Sequence, residues 1–346
     1  MSKKIAIIIS TKNRLGFLIK LLRFYAELKS EHTLYIADAS DSKHLIEVSA
    51  LIKSFSGIID IVYKNMPEYG KGQIDNLKAV GKMLEYVKED YAVFSGDDDY
   101  FLPKSLDKCV DFLENNPDYS SAHGNGTYIK YNKAKKKNII RGRYIINAYN
   151  GDSASERLKM VSNKYSVLLF SVHRTNIFKR AFRNCDLLKS VMFSEFLPVC
   201  MSAVLGNSNK LNELYLIRGL HEKRDIQKTL TEKILDPQWQ ESLQVYLNTL
   251  SEEIRKVDGI DEIESIEIVK QDFNEILKNI IKKKYCKNDT LSDKFKQSIP
   301  LSIKKFIRNS IFPNDHYDRT GQLSKVSPYY YEFKSLLDNV NKMGEE

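Results

Sequence analysis

The sequence predicts an α/β protein: a Rossmann-like mixed sheet with helices on both faces, followed by a C-terminal α-helical extension. Three observations lead there. Residues 5 to 95 alternate strand-like and helix-like runs in the order β-α-β-α-β-α-β. The first run, Ile5-Ala-Ile-Ile-Ile9, is continuously apolar, as in a strand covered on both faces. Beyond His221 the apolar spacing is helical only. At 346 residues the chain is long enough for one large domain and an appendage. The change of pattern places the boundary between residues 1–228 and 229–346.

The elements follow in order. Ile5–Ser10 is the first strand. Leu15–Leu28 is a helix, because Leu15, Leu18, Ile19, Leu22, Tyr25 and Ala26 recur at helical spacing. Leu34–Ala37 is a strand, Leu45–Phe55 a helix and Ile58–Tyr63 a third strand. Ile74–Val87 is a helix with Leu77, Val80, Leu84 and Val87 on one face. Tyr91–Ser95 is the fourth strand. Such alternation builds a parallel sheet. Next come a helix over Leu106–Asn115 and a hairpin over Thr127–Tyr144 with the basic turn Lys133–Lys137. Ser166–Val172 reads as a strand, Val191–Leu205 as an apolar helix and Tyr215–Arg218 as a short last strand. Trp239–Val257, Ile266–Tyr285, Ile303–Ile311 and Tyr329–Met343 read as helices.

Composition narrows the class. Hydrophobic residues at 42% and aromatics at 11% exclude wholesale disorder. Four scattered cysteines with no CxxC pair argue against a disulfide framework or a cysteine zinc site. No apolar run approaches the ~20 residues of a bilayer span. The first apolar run is too short for a signal-peptide core. The expected location is therefore the cytoplasm. The net charge of +9 is uneven: residues 278–308 hold ten basic side chains against Asp289 and Asp293. The rest of the chain is nearly neutral, which argues against a nucleic-acid binder. Basic and apolar residues interleave over 278–311. That pattern fits peripheral contact with an anionic membrane, at the inner face of the plasma membrane, or a helical subdomain that supports a homodimer.

In parallel sheets ligands bind at the carboxyl ends of strands. Three polar clusters stand there: Ser10-Thr-Lys-Asn-Arg14, Asp38-Ala-Ser-Asp-Ser42 and Gly96-Asp-Asp-Asp99. Three adjacent carboxylates leaving a buried strand repel one another and need a cation or solvent. Asp97, Asp98 and Asp99 are thus candidates for Mn²⁺ or Mg²⁺ with a phosphorylated ligand. A solvated acidic turn ahead of a helix is the plainer alternative.

Taken together, these clusters resemble the family-2 glycosyltransferases of the GT-A fold, over roughly residues 4–225. Thr11-Lys-Asn-Arg14 matches the turn after the family's first strand. Asp38, Ser40 and Asp41 match the turn that holds base and ribose. Gly70-Lys-Gly72 with Asn76 matches the loop before the fourth strand, and Asp97–Asp99 with Pro103 the metal-binding Asp-x-Asp. Counting back from Pro103 puts the two aspartates on Gly96 and Asp98; the literal motif falls on Asp97 and Asp99. Both registers stay open.

The resemblance implies a metal-dependent transferase that moves a hexosyl or N-acetylhexosaminyl group from a nucleotide-diphosphate sugar, a UDP-sugar above all. The implied acceptor is a hydroxyl of a glycan or lipid-linked saccharide, with inversion, in surface polysaccharide or glycoconjugate synthesis. Ser10, Thr11, Arg14, Asp38, Ser40, Lys71, Asn76 and Asp97 would bind the donor. His221 would join the metal or diphosphate. Glu195, flanked by Phe193, Phe196 and Leu197, matches the general base by position, with Asp186 as a weaker substitute. His123 is a candidate for the acceptor side, and His173 reads as structural. Two other readings remain: a catalytically degenerate GT-A domain serving as a binding or scaffold module, and a nucleotidyltransferase. The second is disfavoured because Thr11–Arg14 lacks the glycine-rich loop.

Overall fold

The computed structural model describes residues 3–72, 74–132, 137–220 and 237–285, with isolated positions at 331 and 334. A mixed sheet runs through the core in the order β3-β2-β1-β4-β8-β6-β9-β5, with β7 paired to β6. The strands are β1 (Ile5–Thr11), β2 (Thr33–Asp38), β3 (Ile61–Asn65), β4 (Tyr91–Gly96), β5 (Asp99–Phe101), β6 (Tyr119–Asn132), β7 (Lys137–Tyr144), β8 (Val172–Arg174) and β9 (Asn207–Leu220). The helices are α1 (Leu15–Glu27), α2 (Ser42–Ser54), α3 (Asp75–Leu84), α4 (Pro103–Asn115), α5 (Ala154–Asn163), α6 (Thr175–Ala181), α7 (Val191–Val204), α8 (Pro237–Asp258) and α9 (Glu262–Tyr285).

The first half is parallel, as the alternation predicts. β1 pairs β2 and β4 in parallel, with Thr11 opposite Asp38 and Ser10 opposite Gly96. All five apolar residues of β1 are fully buried, which places the strand at the centre between helical layers. Burying an isoleucine contributes about 1.5–3 kcal/mol. α1 turns Leu18, Leu21, Leu22, Phe24 and Tyr25 inward, and α3 turns Leu77, Val80, Met83 and Leu84 inward. The second half is mixed: β6 and β9 run parallel, whereas β5 and β8 join antiparallel.

One strand expectation fails. Ser166–Val172 is not a strand. The Ser166 amide donates to the Tyr149 hydroxyl at 3.0 Å, and its hydroxyl accepts from the Asn147 amide at 2.8 Å. A 3-10 turn then tucks Leu168–Phe170 into the core, and only Val172–Arg174 pairs with β4 and β6. Tyr215–Arg218 lies toward the C-terminal end of a longer strand, β9. Two helices lie where the periodicity gives none. α5 opens on a capping box, in which Ser153 and Glu156 satisfy each other's backbone amides. The seven-residue α6 follows β8 directly.

α8 and α9 pack on α5 and α7 through one aromatic cluster. Phe193 of α7 lies 5.3 Å from Trp239, 5.5 Å from Tyr246 and 5.4 Å from Phe273, centroid to centroid. Around it, Arg180 and Arg183 pair with buried Glu253 at 2.8 and 3.0 Å. Gly259, at φ +70°, ends α8 and donates its amide to Arg255 at 3.0 Å. The Lys133–Lys136 turn, the 303–311 helix and most of 278–311 and 329–343 lie outside the described residues. Among the described residues no helix is long and apolar enough to cross a membrane.

Candidate functional site

The carboxyl ends of β1, β2 and β4 open into a cavity of about 560 Å³. Its walls come from four places. Ser10 and Thr11 end β1 and Lys12 and Arg14 follow it, Ala37 and Ala39 stand at the end of β2, Asp97 follows β4, and Tyr69, Gly70, Lys71 and Gly72 precede α3, whose first turn adds Asn76. Six sequence candidates therefore meet: Ser10, Thr11, Arg14, Lys71, Asn76 and Asp97. Tyr69 was not among the candidates; an aromatic in a loop carries no periodic signal.

The loop after β1 is held by β2. Asn13 sits at φ +54°, a left-handed conformation that asparagine tolerates. Its amide donates to the Ser40 hydroxyl at 2.7 Å. Its side chain and Asp41 bond reciprocally, at 2.7 and 2.9 Å. Gly70 closes the opposite wall. A Cβ there would come within 2.7 Å of the Ala39 carbonyl oxygen, so only glycine allows this approach. Lys12 donates to the Gly70 carbonyl, and Asp75 accepts from the amides of Lys71 and Gly72 at 2.9 and 2.8 Å.

Asp38 and Ser40 do not reach the cavity. Asp38 is fully buried: one oxygen accepts from Tyr63 at 2.8 Å and the other from the Ser40 amide at 2.9 Å. The Ser40 hydroxyl in turn accepts from the Asn13 amide, so both residues bond within the turns at the ends of β1 and β2.

The three aspartates separate into distinct environments. Asp97 is 2% exposed and accepts from the Thr11 hydroxyl at 2.8 Å. Its other oxygen, Oδ1, lies 2.6 Å from Arg14 Nη1 but off the N–H direction, so the contact is an ion pair without a hydrogen bond. Burial pushes Asp97 up to about 7, against the pull of Arg14. Asp98 is 19% exposed and accepts from Arg14 Nη2 at 2.9 Å. Asp99 starts β5, faces Arg218 of β9 in register and accepts from its Nε at 3.1 and 3.2 Å. Burial raises Asp99, and Arg218 opposes the rise. The charge that a metal was expected to compensate is thus balanced in large part by two arginines. Arg218 lies over the rings of Phe170 and Tyr144, at 4.4 and 4.7 Å. Its spacing from Asp99, 119 residues, hides the pair from any local reading.

Among the described residues no group of three or more histidine, cysteine or carboxylate side chains is arranged to hold a metal ion. Asp99 is committed to Arg218. Asp97 lines the cavity, its buried Oδ1 lacks a hydrogen bond, and Asp98 neighbours it. Two carboxylates are what a magnesium-type ion takes from protein when phosphate and water supply the rest. The fit is therefore to Asp97 and Asp98, with Asp99 outside it. His221 lies outside the described residues.

Glu195 sits in α7 and is not among the residues that line the cavity. The Tyr165 hydroxyl donates to its Oε1 at 2.8 Å. Tyr165 packs its ring against Phe196 at 5.0 Å. Asp186 is exposed in a 3-10 turn beside α3. His123 is fully buried in β6 and is not among the residues that line the cavity; burial lowers it to about 4. His173 stacks on Phe178 at 4.3 Å and bonds the Leu168 carbonyl, a core role as expected.

No family model matches the chain, and no curated protein does either. Solved structures do. The fold is similar to that of S. aureus TarS 1–349 in complex with UDP-GlcNAc, with a TM-score of 0.52. The match covers 99% of this chain and 90% of that one, at 14% identity. TarS 1–349 in complex with UDP gives 0.48 at 13% identity, over the same shares. The chain therefore has the GT-A-type glycosyltransferase fold with a C-terminal helical part, as the strand-end motifs led one to expect.

Proposed function

We propose that the chain is a glycosyltransferase that moves a hexosyl or N-acetylhexosaminyl group from a UDP-sugar to an acceptor hydroxyl. One observation carries the reading. The cavity at the ends of β1, β2 and β4 brings Lys12, Arg14, Lys71, Asn76 and Asp97 together. The match to TarS, solved with UDP-GlcNAc and with UDP, supports the same donor class.

The residues divide the work. Ser10 lines the cavity, and its Oγ, buried and without a partner among the described residues, is the group we assign to a base or ribose. Tyr69 offers a flat wall. Lys12, Lys71 and Arg14 put positive charge beside the diphosphate, where the leaving group gains charge in the transition state. Asp97 and Asp98 would hold Mn²⁺ or Mg²⁺. Bound there, the ion would neutralise charge on the diphosphate. Glu195, steadied by Tyr165, takes the proton of the attacking hydroxyl. Attack opposite the leaving group inverts the anomeric centre. The acceptor we infer is a glycan or lipid-linked saccharide of a surface glycoconjugate. Peripheral contact of the basic 278–311 stretch with an anionic membrane, a cytoplasmic location and pairing of two copies through C-terminal helices complete the proposal. They rest on the sequence pattern alone.

Isothermal titration with UDP, GDP, CDP and dTDP, with and without Mn²⁺, tests the donor. UDP should bind alone among the four, and Asp97→Ala/Asp98→Ala should abolish the Mn²⁺ dependence. If none of the four binds to folded protein, the transferase reading is lost. Gly96 favours a second reading, a donor-binding module without turnover. In the register counted back from Pro103, Gly96 stands where the family's first aspartate falls, so that carboxylate is missing. UDP binding without hydrolysis or transfer of UDP-GlcNAc would select that reading.

A further inference from the structure

The loop that carries Arg14 is built to aim it. Asn13 is fixed in a left-handed conformation by Ser40 and Asp41, and this turns the next residue back over the end of β4. The Arg14 guanidinium then rests on the Phe17 ring, 4.0 Å from its centroid. From there it spans two carboxylates, Asp97 Oδ1 at 2.6 Å and Asp98 Oδ2 at 2.9 Å. The span is imperfect. It balances charge at Asp97, yet leaves that oxygen without a hydrogen bond. Arg14 is also 38% exposed, so it has room to swing toward the cavity it lines.

A divalent ion and this arginine compete for one place. A magnesium-type ion bonds oxygen at about 2.0–2.1 Å. With Arg14 Nη1 already 2.6 Å from the same Asp97 oxygen, the two cations would lie within a few ångströms, where repulsion is steep. A diphosphate removes the conflict. It offers Arg14 a bidentate anion inside the cavity, the geometry guanidinium groups favour. Its departure from Asp97 uncovers the oxygen that lacks a hydrogen bond.

We propose that Arg14 is a resident counter-cation of the Asp97–Asp98 pair, exchanged for a divalent metal when a nucleoside diphosphate draws it away. Metal and diphosphate then bind with positive coupling, and each site reports on the other. The inference rests on the donor reading above and adds the residue that links donor to metal.

The test is Mn²⁺ binding to the full chain, followed by the loss of the free-ion EPR signal, with and without UDP. Wild-type protein should hold Mn²⁺ at least tenfold more tightly with UDP present. Arg14→Met keeps the packing on Phe17 and removes the charge. It should bind Mn²⁺ without UDP at least tenfold more tightly than wild type does, and should show little further gain when UDP is added. Equal Mn²⁺ affinity of the wild type with and without UDP overturns the proposal, as does an unchanged affinity in folded Arg14→Met. The wild-type comparison stands if the variant does not fold. Failure of UDP itself to bind, read by calorimetry in the same samples, overturns the donor reading as well. UDP binding with Mn²⁺ indifferent to it overturns the exchange alone.

Discussion

Replacing Arg218 with methionine probes the joint between β5 and β9. The Asp99 side chain is 2% exposed and that of Arg218 27%, so the pair lies largely out of water. The arginine Nε reaches both carboxylate oxygens, at 3.1 and 3.2 Å. Methionine keeps much of the apolar stem against Phe170 and Tyr144 but leaves Asp99 charged and alone. Removing one partner of a buried ion pair costs about 3–5 kcal/mol. The lost contact with the two rings adds about 0.5–2 kcal/mol. The expected loss is therefore on the order of 3.5–7 kcal/mol near pH 8. Burial already raises Asp99 above its ordinary value, and losing Arg218 raises it further. A carboxyl raised in the folded state stabilises at low pH and loses that contribution as pH climbs through its folded value. Urea unfolding of wild type and variant should accordingly show a deficit that is large at pH 8 and smaller at pH 5, where Asp99 takes up a proton. Adding Asp99→Asn should recover most of the loss at pH 8. A deficit below about 1 kcal/mol at pH 8, or a double variant no more stable than the single one, would refute the reasoning.

Three further outcomes are expected. Asp97→Asn should be more stable than wild type at pH 8 and equal to it near pH 4, since burial lifts Asp97 to about 7 and its ionised form strains the fold; thermal melts across that range check the sign. Gly70→Ala places a methyl 2.7 Å from the Ala39 oxygen, so it should weaken UDP binding at least tenfold while costing about 1–3 kcal/mol of stability, as measured by calorimetry and urea unfolding. Glu195→Gln should lower transfer from UDP-GlcNAc by about 10²–10⁴-fold with UDP affinity unchanged, and Tyr165→Phe should lower it less, again without loss of donor binding.

The parallel half of the fold was legible because its signals are local. An unbroken isoleucine strand, amphipathic helices and polar turns at strand ends each occupy one short window. They led to Thr11, Arg14, Asn76 and Asp97, which the fold brings to one cavity. The second half was harder. Ser166–Val172 is apolar enough for a strand, but Tyr149 and Asn147 claim the polar groups of Ser166. α5 announces itself only by its Ser153–Glu156 cap. The acidic run posed a subtler problem. Its residue types pointed to a cation, yet the compensating charges, Arg14 and Arg218, come from 84 and 119 residues away. Asp38 reads as a ligand contact through its match to the family's base-and-ribose turn, whereas its bond from Tyr63 of the neighbouring strand has no local signature.

The aromatic knot around Phe193 has a consequence for how the molecule is divided. Phe193 belongs to the same helix as Glu195, two residues earlier, and three of its ring neighbours come from α8 and α9. The residue proposed to take the acceptor proton therefore stands on a helix whose rear face is clamped by the extension. Cutting the chain at 228 would strip that face bare and leave Arg180 and Arg183 without Glu252 and Glu253. The extension buttresses α7, so any load placed on it is felt at the helix that carries the proposed base.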